Sequence, residues 1–167
     1  MKSENSFIYA GFCALVATVF WLSTAHAATD AGSVLAFKGD VSALSPSGSS
    51  RVLQKNDKVY VGETLRTGAG AYLVIQFVDG AKATVRPDSE LKVDSYTYGT
   101  DKDGAVMDLV KGGLRAITGS IAKENPESYK VKTNVATLGV RGTEFALRIC
   151  KEDCAMEAKR YATLSND

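Results

Sequence analysis

The chain has 167 residues, enough for one ordinary domain. Twenty Lys+Arg stand against 19 Asp+Glu, with a single His. That near balance argues against a nucleic-acid partner and gives no reason to expect binding to anionic membranes.

Phe7 to Leu22 is an uncharged run of 16 residues preceded by Lys2. Spanning helices need about 20 apolar residues, so this run reads as the core of a secretory signal, with an uncleaved N-terminal anchor as the alternative. Ala25-His26-Ala27 supplies the small-x-small pattern of a cleavage site, which predicts a signal over 1–27. Cleavage removes Lys2, Glu4, Cys13, Trp21 and His26, leaving no His or Trp. Only six residues precede the apolar run, so no cytoplasmic arm is expected.

From Gly32 the chain alternates short β-like runs with turn residues. Ser33–Lys38 and Asp40–Ser45 are separated by Gly39. Ala71–Val78 is the clearest strand, with Leu73, Ile75 and Phe77 on a predicted core face. Asp79-Gly80 follows and predicts a hairpin with a type I′ turn into Ala81–Val85. Leu91 and Val93 alternate with Lys92 and Asp94. Ala105–Val110 and Leu114–Thr118 flank Lys111-Gly112-Gly113, a second hairpin candidate. Ala122–Ser128 reads as a polar loop, and Tyr129–Thr133, Ala136–Val140 and Thr143–Ile149 as further strands. The pattern predicts an all-β sandwich or roll of short, mostly antiparallel strands over 28–150, then a helix or tail over 151–167. Phe37–Leu44 and Val110–Ile117 share the pattern apolar-Lys-Gly-x-apolar-x-Ala-apolar, a faint internal echo.

Several motifs together resemble the FecR domain, an extracytoplasmic all-β domain. Gly39-Asp40-Val41 resembles its opening strand. Leu53–Val59 and Gly62–Gly68 resemble "l-x-x-G-d-x-v … g-d-x-i-x-T-g", with Asn56 where Gly is usual. Ala71–Gly80 resembles "s-x-a-x-l-x-f-x-D-G", Asp88–Leu91 resembles "p-x-S-x-l", and Leu109–Leu114 resembles "l-x-x-G-x-v/l". Val131–Phe145 resembles "v-x-T-p-x-A-x-x-x-V-R-G-T-x-F", with Asn134 in place of Pro. The resemblance implies periplasmic localisation and a part in protein binding, envelope signalling or regulation. It implies no enzymatic activity and no cofactor. A carbohydrate- or peptidoglycan-associated binding module is the alternative.

The family-motif residues Asp79, Gly80, Val140, Arg141, Gly142, Thr143 and Phe145 are expected to be structural. Gly142 suits a bulge, Arg141 a carboxylate partner and Thr143 a backbone bond, with a ligand site as the alternative. Cys150 and Cys154 are expected to form a small-loop disulfide; free thiols or a metal or redox role are the alternatives. No metal site is expected, because Cys-x-x-x-Cys without further ligands does not fill a tetrahedral shell. Asp79, Asp88, Glu90 and Asp94 are the carboxylates a hydrolase would have to draw on. Asp79 and Asp88 occupy turn positions, where Asp is common for backbone reasons. Tyr96 and Tyr98 are expected on one strand face, as rim residues or a sugar platform. The expected partner is another envelope protein, reached through an exposed strand edge, or a glycan; no membrane span remains once the signal is cleaved.

Overall fold

A computed structural model describes residues 28–140 and 143–150. They form two β-sheets. The first runs β13-β10-β7-β6-β1-β4, from β13 (Glu144–Arg148), β10 (Gly113–Ile117), β7 (Lys82–Val85), β6 (Tyr72–Phe77), β1 (Asp30–Lys38) and β4 (Lys58–Tyr60). The second runs β12-β11-β9-β8-β5-β2-β3, from β12 (Thr137–Gly139), β11 (Tyr129–Lys132), β9 (Gly104–Lys111), β8 (Glu90–Thr97), β5 (Thr64–Thr67), β2 (Val41–Leu44) and β3 (Ser50–Val52). All pairings are antiparallel except β11 with β9. The all-β sandwich expected from the sequence is what the chain adopts.

Strand alternation sends one set of side chains from each sheet into a shared core. Leu73, Ile75 and Phe77 of β6 are buried as expected, with Val85 and Leu114 beside them. Leu65, Leu91, Val93, Met107 and Leu109 come from the second sheet. β8 carries a bulge between Val93 and Ser95. The extra residue, Asp94, shifts the alternation, so the buried positions run Leu91, Val93, Tyr96. Tyr96 is therefore fully buried and stacks on Phe77 at 4.5 Å. Tyr98 lies beyond the strand and is exposed, so the expected Tyr96–Tyr98 face does not form.

Both hairpin expectations change in detail. The Asp79-Gly80 turn is a three-residue loop: Gln76 pairs with Lys82 and Phe77 N–H donates to Ala81 O at 2.9 Å, which leaves Val78, Asp79 and Gly80 between them. Gly80 alone has positive φ, at 84°, whereas a type I′ turn needs it at both central residues. Gly80 N–H bonds Phe77 O at 3.0 Å, a tight turn closed by a left-handed glycine.

Lys111-Gly112-Gly113 joins no hairpin at all. β9 belongs to the second sheet and β10 to the first, so Gly112 turns the chain across the sandwich. Gly39 does the same between β1 and β2. Their φ values, 81° and 73°, place both in the region that favours glycine. The two echoing segments are thus two corners of one kind.

The segment read as a polar loop after residue 122 contains a short helix, α1 (Ser120–Glu124), and a 3-10 turn (Pro126–Ser128). Ile121 and Ala122 are buried and pin α1 to the sandwich end. Among the described residues no helix is long and apolar enough to cross a membrane. The expected signal over 1–27 and the tail from 151 lie outside the described residues.

Candidate functional site

Asp79 is the most heavily engaged motif residue. Its carboxylate is buried and accepts from Ala81 N at 3.0 Å, from the Tyr96 hydroxyl at 2.7 Å and from Ile121 N at 3.3 Å. Its carbonyl accepts from Ser120 N at 3.1 Å. One side chain thus joins the β6–β7 loop, the opposite sheet and α1. Gly119 makes room for it, because a Cβ there would stand 2.4 Å from Asp79 Oδ2. Burial, with the hydrogen bond to Asp79 adding to it, holds the Tyr96 phenol far above the ordinary tyrosine range. Tyr129 is pushed up for the same first reason, with Asp79 second. Asp88 is exposed at the far end of β7, so the strand separates it from Asp79 and the two form no catalytic pair.

A second knot holds the corner at Gly112. The Ser89 hydroxyl donates to Pro87 O at 3.0 Å and accepts from Gly113 N at 2.8 Å. Ser89 N in turn donates to Thr67 Oγ1 at 3.0 Å. Thr67 Oγ1 donates to Arg86 O at 2.5 Å. A third knot pairs Arg51 with buried Glu63 through Nε at 3.2 Å and NH2 at 2.9 Å; Glu63 also accepts from Tyr60 N at 2.9 Å. Asn56, standing where the family prefers Gly, takes φ of 71°, which explains the preference.

The last motif is spread over several elements. Val140 is buried, and its N–H donates to Tyr129 O at 3.2 Å. Thr143 O accepts from Thr118 N at 2.9 Å. Phe145 packs edge-on against Tyr129, 6.4 Å between centroids. Thr133 Oγ1 accepts from Ala136 N at 3.0 Å, closing the loop that Asn134 enters. Arg141, Gly142 and Cys154 lie outside the described residues, and Cys150 is exposed at the end of β13. Asp79, Val140 and Phe145 thus contribute side chains to the interior, whereas exposed Thr143 contributes its carbonyl.

Two surface features stand out. A cleft of about 660 Å³ opens between the β8–β9 loop and α1, lined by Thr97, Asp101, Asp103, Glu124, Glu127 and Lys130. Asp103 is held below the usual carboxylate range by backbone N–H bonds from Thr100 and Gly99, so it caps its own loop. The other feature is the edge of the second sheet. Edge strands β3, β4 and β13 carry Arg51, Lys58, or Glu144 and Arg148, the charges that discourage strand addition. β12 carries none, and it presents Leu138 at 38% exposure beside Val135 at 85%. Sequence reasoning named an exposed edge without saying which. The uncharged triplet Thr137-Leu138-Gly139 was the available signal.

A family model described as FecR protein matches residues 63–160. That span omits β1 to β4, yet β6 pairs with β1 and β5 pairs with β2. The sandwich therefore extends beyond the matched residues. A solved structure titled "Cell surface anchoring domain" is 34% identical, covers 37% of this chain and 82% of its own, and has a TM-score of 0.36. No curated protein matches the chain.

Proposed function

Because the chain belongs to the FecR family, we propose that it is an extracytoplasmic, non-enzymatic binding domain that takes part in envelope signalling or regulation by recognising another envelope protein. Residues 1–27 act as the export signal and are removed after Ala27, placing the domain in the periplasm. Cys150 and Cys154 form a disulfide there, stapling the end of β13.

The observation that carries the partner reading is the uncharged edge of β12, beyond which no strand pairs among the described residues. An incoming extended segment would continue the second sheet through main-chain hydrogen bonds, and Leu138 and Val135 would supply side-chain contacts. Buried Asp79 and Val140 fit the same reading: they hold the scaffold behind that edge.

The test is capture from chemically crosslinked envelope fractions. Tagged protein should retain one defined envelope protein, and the double variant Val135→Asp, Leu138→Asp should lose it while melting at the same temperature. Retention by both, or by neither, contradicts the reading.

A further inference from the structure

The outward faces of the two sheets differ in charge. On the second sheet most outward cations are paired: Arg66 with Glu90 at 3.6 Å, and Asp94 with Lys92 at 2.9 Å and Lys132 at 3.6 Å, while Lys111 and Lys130 are not in ion pairs among the described residues. On the first sheet the outward positions include Lys38, Lys82, Arg86, Arg115 and Arg148. Of the carboxylates there, Glu144 is held by Arg115 at 2.6 Å and Asp30 by Lys58 at 2.5 Å. Lys38, Lys82 and Arg86 are exposed and have no carboxylate within salt-bridge reach among the described residues.

Register aligns part of this charge in one row. Lys38 pairs with Tyr72, and Leu73 pairs with Val85, which sets Tyr72 opposite Arg86. Leu114 pairs with Val85 and Gly113 with Arg148, so the row runs Lys38, Tyr72, Arg86, Gly113, Arg148 over five strands. At about 4.8 Å per strand it is about 19 Å long. Arg86 lies along Gly113, whose Cβ position is 3.0 Å from Arg86 Cδ. Tyr72 is 39% exposed, so its ring is accessible between the cations of Lys38 and Arg86.

We propose that this row binds an anionic polysaccharide, one sugar ring packing on Tyr72 while carboxylates along the polymer meet Lys38 and Arg86, with Lys82 adding charge two rows away. An aromatic ring offers a flat apolar face to the C–H groups of a sugar, and flanking cations match regularly spaced acids. The row itself carries cations and no carboxylate, which suits an extended anionic chain. Single-stranded nucleic acid tracks stack successive bases on several rings, and this row has one. A lipid surface calls for clustered protruding apolar groups, whereas Tyr72 and Ile117 stand two rows apart. The site is separate from β12, so it goes beyond the protein-partner reading and fails or stands independently of it.

The test is titration of the purified protein with alginate, a polyuronate, in low salt. Binding should weaken about tenfold in Tyr72→Ala and in Arg86→Ala. It should be unchanged in Lys92→Ala on the other face, with all three variants melting like the parent. Binding should also fall as salt rises. Four results would overturn the proposal: no alginate binding; equal binding to inorganic polyphosphate with Tyr72→Ala without effect; tighter binding to a single-stranded oligonucleotide or to phosphatidylglycerol vesicles; or an equal loss in Lys92→Ala.

Discussion

Tyr96 and Tyr129 are both buried phenols that feel Asp79, but among the described residues only Tyr96 has a partner for its hydroxyl. The consequences have opposite sign. Tyr96→Phe removes a hydrogen bond to a buried carboxylate and is expected to cost about 2 kcal/mol in urea unfolding. Tyr129→Phe removes a buried hydroxyl that is unsatisfied among the described residues, so stability should hold or rise by up to about 1 kcal/mol. The same pair sets an alkaline limit. In the unfolded chain both phenols ionise near pH 10, but in the fold they keep their protons to higher pH. The unfolded state therefore binds fewer protons above about pH 10, and stability, intact below that value, falls as pH rises past it. Unfolding free energies between pH 9 and 11 should show this slope, and the double Phe variant should flatten it.

At the scale of elements, the corners and the loop show what a linear reading can and cannot see. Strand, Gly-Gly, strand looks identical whether the chain returns in the same sheet or crosses to the other. Only the packing of Ser89 against Gly112 decides for a crossing. Similarly, Asp79-Gly80 signalled a turn correctly, but its type follows from the carboxylate turning inward to Tyr96 and α1. The face of Leu73, Ile75 and Phe77 was legible because nothing interrupts its period. Tyr96 was not placed correctly because a bulge at Asp94 resets the alternation. Two glycines separate crowding from backbone strain. Gly80 has positive φ and open space, so Gly80→Ala is expected to cost about 1 kcal/mol. At Gly112 a Cβ would stand 2.1 Å from Ser89 Oγ, so Gly112→Ala adds overpacking and should cost about 3 kcal/mol or more. Equilibrium unfolding of the two variants side by side checks the difference.

For the whole molecule, net charge conceals distribution. The near equality of acids and bases argued correctly that the chain is not broadly basic. Composition could not show that register sets Lys38, Tyr72 and Arg86 in one row on one sheet face, with neither cation in an ion pair among the described residues. The family motifs were legible for a related reason: they mark turns and buried knots, whose demands are local in sequence. The recognition surface is less legible because an edge strand is defined by what does not pair with it. The proposed docking of an envelope protein on β12 can be tested in place. A photo-activatable residue placed at Leu138 in living cells measures this directly, with Val52, 70% exposed on the opposite edge, as the control. A discrete adduct with one envelope protein is expected from position 138 and none from position 52. No adduct at 138, or the same adducts from both positions, would contradict it.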